Sequence, residues 1–396
     1  MLTVEEARAQ ILARVQPRET EYVELLGALG RVLAETVVST REIPPWANSS
    51  MDGYAIRAED TTTANATLRI VGRVAAGALP DRAVGRGEAM RIFTGAPMPA
   101  GADAVVPQED VEADETRVVV RSRVKPADYV RSAGEDVRPG DIVLEPGQRI
   151  RAAEIGLLAT LGRPRVAVYR RPRVAILSTG NEIADLGTEP GPGAIPNTNT
   201  YSLMAQVLEA GAEPMNLGVA PDRVEAVEER LRWGAHADVI ISSAGVSVGE
   251  HDVVKEAFTR VGAELVLWRV SMRPGKPITF GSWQGRGVFG LPGNPVSAMV
   301  TFELFVRPAL LRMAGHRDLD RPRVRARADA RIENPGRRRG YLRVTLRRDG
   351  HEYRARLTGE QGSAILRSMV LADGLAVLEG DTTVQEGDYV DVINIK

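Results

Sequence analysis

Ala237-Asp238-Val239-Ile240-Ile241-Ser242-Ser243-Ala244-Gly245 runs directly into Val246-Ser247-Val248-Gly249-Glu250-His251-Asp252, and this stretch decides the fold. Asp238 to Ile241 is an apolar strand. The loop that starts at Gly245 is bracketed by glycines and ends in carboxylates. Val253 to Arg260 has a helical pattern. A second strand, Glu264 to Val270, runs into Met272-Arg273-Pro274-Gly275-Lys276-Pro277. A third, Gly287 to Gly290, runs into Leu291-Pro292-Gly293-Asn294-Pro295-Val296-Ser297. Loops rich in Gly, Ser, Asp, Arg and Lys thus follow apolar strands. In an open α/β sheet, ligands bind beyond the carboxyl ends of the strands.

The residue types in these loops point to an anionic ligand. Glycine-bracketed loops, here around Ser243, Gly245, Ser247 and Gly249, let backbone N–H groups approach a phosphate closely. Arg273 and Lys276 add two cations, and Pro274 and Pro277 stiffen the turn around Gly275. Asn294 is a good N-cap, and Pro295 suits the first position of the helix that follows. That helix aims its positive end, with Ser297 in its first turn, at the same region as Gly293. Asp252 has two readings: it caps its own helix, or it joins nearby carboxylates in holding a divalent metal against phosphate oxygens. Lys276 is not a Walker lysine, because Pro277 stands where Ser or Thr belongs, and no G-x-G-x-x-G fingerprint occurs here.

These residues resemble the molybdopterin molybdenumtransferase family, which includes the bacterial MoeA proteins and the E domain of gephyrin. The family's loops read G-G-V-S-V-G-x-x-D, K-P-G-K-P and L-P-G-N-P-V-S. This chain has Ala244 for the first glycine and Arg273 for the first lysine. Arginine keeps the positive charge and forks differently.

The chain has 396 residues, which implies two to four domains. Lys and Arg number 51 against 52 Asp and Glu, so no global charge argues for nucleic acid. Cysteine is absent, which excludes disulfides, thiolate metal sites and cysteine nucleophiles. Any sulfur chemistry therefore comes from the ligand. The four histidines show no metal-ligand spacing. The opening Met1-Leu2-Thr3-Val4-Glu5-Glu6 is no signal peptide, and no apolar run spans a bilayer, so a cytoplasmic protein free of the membrane is expected.

Thr3-Val4-Glu5-Glu6 is a capping box, and Val4, Ala7, Ile11 and Val15 recur at helical spacing behind it. Further helical stretches are expected at about Thr20 to Leu26 and at Val32 to Thr36. From Trp46 to about Glu145 short β-type runs alternate with Gly and Pro, which reads as a β-rich domain. Three compact polar segments stand out there: Asn48 to Ala55 with Asp52, Arg91 to Pro97 with Thr94, and Val130 to Asp136 with Arg131 and Asp136. Alone, each reads as an ordinary turn. Beside the family's D-N-S-x-M-D-G-Y-A, I-x-T-G-A-x-x-P and R-x-x-G-E-D they are similar throughout, with Ala47 for the first Asp. The resemblance implies that this domain reaches across a homodimer to complete the partner's site.

Helical texture returns at Ile150 to Leu161. Arg173 to Leu177 is an apolar strand ending in Ser178-Thr179-Gly180-Asn181-Glu182, and strands and helices then alternate to Ala314, the signature of a doubly wound domain. Glu182, Asp222 and Asp252 fall where strands end or helices begin, and three carboxylates beside cationic loops suit a Mg²⁺–phosphate site. For Asp222 the alternative is a capping box with Glu225. From Arg317 to Arg348 there are twelve arginines and four acids. Arg321, Arg323, Arg325 and Arg327 would line one strand face. A solvated face is preferred to a nucleic-acid surface, because stacking aromatics are nearly absent there. Short strands then continue to the end. The resemblance singles out Arg343 and Ser368, whose counterparts in plant relatives help hold molybdate.

The expected fold is a multidomain α/β protein. It has a helical segment (1–45 with 146–172), an inserted β-rich domain (46–145), a doubly wound molybdopterin-binding domain (173–316) and a small C-terminal β-barrel domain (317–396). The reaction that the resemblance implies inserts molybdenum from molybdate into the dithiolene of adenylylated molybdopterin and releases AMP. Arg273, Lys276, Ser297, Arg343 and Ser368 would bind molybdate, and Glu182, Asp222 and Asp252 would hold Mg²⁺ on the pyrophosphate. Asp52, Thr94, Arg131 and Asp136 would come from the other subunit. Gly180, Ser243, Gly245, Ser247, Gly249, Gly275, Pro277, Gly293 and Asn294 complete the expected ligand contacts, and the enzyme that adenylylates molybdopterin is the expected partner. Two rival readings stay open: an ATP-dependent molybdopterin adenylyltransferase, and a non-catalytic scaffold that binds a partner peptide.

Overall fold

The computed structural model describes residues 1–63, 65–243 and 253–396. Its centre is a six-stranded sheet in the order Glu213–Ala220, Arg173–Thr179, Val239–Ser243, Arg286–Leu291, Pro277–Trp283, Glu264–Arg269. The first four strands run parallel, and the last two pairings are antiparallel. Successive side chains of a strand point to opposite faces, and here they feed two separate cores. Val174, Ile176, Val239, Ile241 and Phe289 enter one, and Ala175, Leu177, Ile240 and Val288 enter the other. Helices Thr198–Glu209 and Pro295–Thr301 cover the first face, while Val224–Trp233 and Val253–Arg260 cover the second. A sheet buried on both faces reads as nearly continuous apolar runs, which is why these strands were legible. The antiparallel strand Pro277–Trp283 was not expected. It begins at the residue that closes the Arg273–Lys276 turn.

The first helix, Val4–Ala13, makes its capping box: Thr3 Oγ1 accepts the Glu6 N–H at 3.1 Å, and Glu6 Oε2 accepts the Thr3 N–H at 2.8 Å. Its buried face, Val4, Ala7 and Ile11, belongs to the same core as Phe302, Phe305 and Met313. The next two helical expectations are overturned. Thr20–Glu24 is a strand, paired antiparallel with Arg165–Tyr169. The segment Val32 to Thr36 is irregular: the Leu33 N–H reaches Gln148 O at 2.9 Å and the Ala34 N–H reaches Ala167 O at 2.9 Å. Local helix propensity from Glu and Leu loses to backbone partners supplied by a segment more than a hundred residues away. Ala28, Leu33, Val37, Leu144, Ile150, Leu158 and Val166 then share one apolar cluster.

The β-rich region holds a second six-stranded sheet, ordered Ala104–Pro107, Gly53–Ile56, Glu88–Ile92, Ala66–Val74, Arg117–Val120, Val111–Ala113. Toward the C-terminus, five strands close on themselves. Arg339–Asp349 pairs with Glu352–Leu357, which pairs with Arg323–Ala328. That strand pairs with Tyr389–Asn394, then Gly374–Leu378, which returns to Arg339–Asp349. A closed barrel leaves no free edge. Arg325 and Arg327 stand on its outer face, each guanidinium 4.4 Å over the Tyr389 ring.

Where the last central helix ends, Gly315 adopts φ +82°, and a Cβ added there would lie 2.1 Å from the Tyr169 ring. Gly315→Ala is therefore expected to cost on the order of 2–4 kcal/mol in denaturant unfolding, from the strained φ and the overlap together. Adding Tyr169→Ala should recover part of that loss. Beside it, burial and then the charges of Arg149 and Arg307 push the His316 imidazole down from 6.5 to about 4. The fold favours the neutral ring, so its contribution is complete above about pH 6.5 and is lost as pH falls toward 4. Over that interval the melting temperature should drop more steeply in wild type than in His316→Gln, and parallel curves would refute this role.

Candidate active site

Parallel strands that share a direction deliver their loops to one end of the sheet. Ser178, Ser243 and Leu291 stand side by side in register there. The loops that follow surround a cleft of about 630 Å³, walled by Thr179, Glu182, Asn199, Ser243, Pro277, Gly293 and Asn294. Ser243 is buried and its Oγ accepts from Asn199 Nδ2 at 2.7 Å. The same Nδ2 donates to Gly293 O at 2.7 Å, so one side chain ties two loop bases together. Asn197 caps helix Thr198–Glu209 through its bond from the Thr200 N–H. Thr179 Oγ1 and Asn199 Oδ1 are buried without a partner among the described residues. Asn197 and Asn199 were missed in the sequence. The available signal was the polar run Asn197-Thr198-Asn199-Thr200 just ahead of an apolar helix.

One of the expected carboxylates, Glu182, walls the cleft, and a second, Asp222, stands on the next loop. The Gly180 N–H reaches Ala220 O at 3.2 Å and the Asp222 N–H reaches Asn181 Oδ1 at 3.1 Å, so the loops carrying Glu182 and Asp222 adjoin. Gly180 has φ +146°, and a Cβ there would meet Glu182 at 2.6 Å. The capping reading of Asp222 fails: helix Val224–Trp233 has Arg223 at its N-cap and no side-chain cap bond. Among the described residues, no three His, Cys, Asp or Glu side chains gather to hold a metal. Two oxygen-bearing carboxylates still suit Mg²⁺, which typically takes one or two carboxylates and fills its shell from phosphate and water. Gly245, Ser247, Gly249 and Asp252 lie outside the described residues.

Across the cleft, Asn294 is the N-cap of helix Pro295–Thr301 with Pro295 at N1, as expected, although its side chain makes no cap bond. Ser297 is buried in the first turn. Lys276 is half-buried, and Gly275 requires glycine: φ is +102°, and a Cβ would lie 2.4 Å from Thr301 Cγ2. Arg273 Nη1 donates to Pro335 O at 3.3 Å, and Met272–Arg273 pairs with Arg339–Gly340 of the barrel.

The barrel contributes a cation. Arg343 is wholly buried. Its Nε donates to Ser368 Oγ at 3.0 Å and its Nη2 to Gly362 O at 3.1 Å, while Nη1 has no partner. Among the described residues no carboxylate pairs with it. Burial, and then the charge of Arg273, pull the guanidinium down to about 10, which still leaves it charged at neutral pH. An isolated buried charge is costly unless an opposite charge meets it. Ala364 brings the same barrel loop to the cleft wall, and the Val296 N–H donates to Ser363 O at 3.0 Å.

The segments of the β-rich region gather elsewhere. Asn48–Ser49 pairs with Val130–Arg131, and the Gly95 N–H donates to Ser49 O at 2.8 Å. Asp52 Oδ1 accepts both the Thr94 N–H and the Thr94 hydroxyl at 2.8 Å. These two bonds hold the carboxyl below the usual range, so it stays ionised. Asp136 is exposed, and its N–H is used by Ile43 O at 2.9 Å. None of Asp52, Thr94, Arg131 and Asp136 lines the cleft of its own chain.

A doubly wound domain with a polar strand-end cleft, joined to a closed barrel that buries an arginine without a carboxylate, defines a multidomain α/β protein with its cleft at the carboxyl ends of the parallel strands. Residues 2–162 match the MoeA N-terminal region (domain I and II), 175–312 a probable molybdopterin binding domain, and 325–395 the MoeA C-terminal region (domain IV). The molybdopterin molybdenumtransferase of Nostoc sp. is 38% identical over 96% of this chain and 89% of its own length. That of Haemophilus influenzae is 35% identical over 99% and 98%. The crystal structure of a molybdopterin biosynthesis moeA protein from Pyrococcus horikoshii superposes with a TM-score of 0.86 at 30% identity, covering 99% of both chains. The chain belongs to the molybdopterin molybdenumtransferase family.

A tetrahedral dianion supplied at about a hundred times its Kd should stabilise the wild-type protein by roughly 2.7 kcal/mol. Arg343→Met is expected to fold and to lose that rise in melting temperature; an undiminished rise would show that the anion binds elsewhere.

Proposed function

We propose that this chain inserts molybdenum from molybdate into the dithiolene of adenylylated molybdopterin and releases AMP. Family membership makes it an enzyme of molybdenum cofactor biosynthesis, a molybdopterin molybdenumtransferase. The observation that carries the detailed reading is Arg343: a buried guanidinium on barrel strand Arg339–Asp349, with an unpartnered Nη1 and no carboxylate, bonded through Nη2 to Gly362 O on the loop whose Ala364 walls the strand-end cleft. A dianionic oxyanion has to sit beside a pterin phosphate and a pyrophosphate. Coulomb repulsion among them is large in a water-poor cleft unless fixed cations and dipoles offset it. Arg343, Ser368, Arg273 and Lys276 would take the oxyanion, and the helix that begins at Pro295 adds its positive end. The cleft floor around Ser243, Gly293 and Asn294 would hold the pterin nucleotide.

Glu182 and Asp222, with Asp252, would hold Mg²⁺, which when bound supplies charge neutralisation at the pyrophosphate. No side-chain nucleophile is needed, because positioning and charge neutralisation suffice. Asp52, Thr94, Arg131 and Asp136 are read as a surface that completes the cleft of a second copy in a homodimer. Their convergence away from their own cleft supports this. The division at residues 45, 145, 172 and 316 belongs to the same reading, with the first helix, Val4–Ala13, packed on the third unit. No described helix is long and apolar enough to cross a membrane, and a cytoplasmic reaction is proposed.

AMP release from adenylylated molybdopterin, followed while molybdate is titrated in the presence of Mg²⁺, tests the reading. Saturable release that depends on molybdate is expected, and release indifferent to molybdate would leave simple hydrolysis. Lys276→Ala should raise the half-saturating molybdate roughly ten- to hundredfold, the loss of one charge-assisted bond. Asp222→Asn should shift the Mg²⁺ requirement upward instead. Consumption of ATP in place of AMP release would restore the adenylyltransferase reading.

A further inference from the structure

Arg343 does not hold its own orientation. Its Nε and Nη2 are occupied by Ser368 Oγ and Gly362 O, which leaves Nη1 as the unpaired donor. Both partners lie on one segment. Ser368 Oγ in turn donates to Ile365 O at 2.6 Å, and the Ser368 N–H reaches Ile365 O at 2.9 Å. The stretch from 358 to 368 therefore decides which face of the guanidinium remains available. This stretch pairs with no strand beyond Leu357, so something else must fasten it to the barrel.

The fastener is Gln361. Its Oε1 accepts the Arg343 backbone N–H at 2.8 Å, and its Nε2 donates to Arg343 O at 3.2 Å. One side-chain amide thus bonds both backbone groups of a single residue, as the neighbouring strand would in a ladder. Nε2 also donates to Gly359 O at 3.0 Å, which closes the turn upon itself. The Thr358 N–H adds one more bond to Arg343 O at 3.0 Å. Gly362, next in the chain, is then set where its carbonyl meets Nη2, and Ser363 where its carbonyl meets the Val296 N–H at 3.0 Å.

We propose that Gln361 is the positioning residue of the oxyanion site. It touches neither molybdate nor nucleotide. By clamping the Arg343 peptide it places the Gly362 carbonyl on Nη2, and so confines oxyanion binding to Nη1 and the neighbouring cation. This rests on the reading of Arg343 as a molybdate ligand. Its consequence is a split: affinity for the oxyanion depends on Gln361, while affinity for the nucleotide does not.

The test uses full-length protein and two variants, Gln361→Ala and the length-matched Gln361→Met, so that a folding defect in one leaves the other. Half-saturating molybdate in AMP release should rise about tenfold, the loss of one well-made hydrogen bond's worth of positioning. The maximal rate should stay within about twofold. Binding of adenylylated molybdopterin, measured without molybdate, should be unchanged. Alongside, the rise in melting temperature caused by molybdate alone should shrink in both variants. A folded variant with wild-type molybdate dependence and a full anion-induced rise overturns the proposal. So does an equal loss of nucleotide affinity, which marks a general structural role. If wild type releases AMP without molybdate, the functional reading fails, and the anion-induced rise still decides whether Gln361 governs the Arg343 site.

Discussion

Burial of the central strands on both faces is the constraint on which the rest of this structure depends. Val174 and Ile176 enter one core while Ala175 and Leu177 enter the other. Neither face of Arg173–Thr179 can therefore be left to solvent, and helices must cross over both. Each crossover returns the chain to the same edge, so the parallel strands end together at Ser178, Ser243 and Leu291. The cleft follows from that arithmetic of directions before any ligand is considered. Its wall then admits Ser, Thr and Asn at the points where apolar side chains would have continued the strands.

The chemistry proposed for the site is a problem of charge rather than of nucleophiles. Glu182 stands on the cleft wall with Asp222 on the adjoining loop, while Arg273 and the buried Arg343 lie where the barrel meets the doubly wound domain. The two kinds of charge are carried by different parts of the chain: the acids by loops of the doubly wound domain, the buried guanidinium by the barrel. Among the bonds that span the seam are those from the Val296 N–H to Ser363 O and from Arg273 Nη1 to Pro335 O, at 3.0 and 3.3 Å. Under the proposed function, a ligand that carries negative charge along its length would need both groups, since either alone would leave part of that charge uncompensated.

How much of this was legible depended on how local the cause was. The two-sided strands announced themselves through continuous apolar runs, and the capping box of the first helix through four adjacent residues. Thr20–Glu24 misled because its partner Arg165–Tyr169 is remote, although Thr20, Tyr22 and Val23 are good strand formers. Strand Pro277–Trp283 was hidden behind a turn whose Pro and Gly drew attention to the loop. Asp222 looked like half of a capping box, yet its N–H turned to Asn181 instead. Asn199 carried no recognisable motif. Its role in joining Ser243 to Gly293 exists only once three segments have been folded side by side. The polar segments around Asp52, Thr94 and Arg131 were found as separate turns, and their meeting is a product of the sheet that holds them.

The position of the first helix has a consequence for how the chain is made. Val4, Ala7 and Ile11 are buried against Phe302, Phe305 and Met313, which the ribosome adds some three hundred residues later. At usual rates of synthesis, that interval is on the order of tens of seconds. Through it, the face formed by Val4, Ala7 and Ile11 lacks the partners that bury it in the folded protein. The capping box of Thr3 and Glu6 needs neighbours alone, but a helix this short is marginal by itself in water, and its buried face waits for its partners. Val4, Ala7 and Ile11 thus reach their place only once Phe302, Phe305 and Met313 are present, and that late meeting closes the core of the central domain.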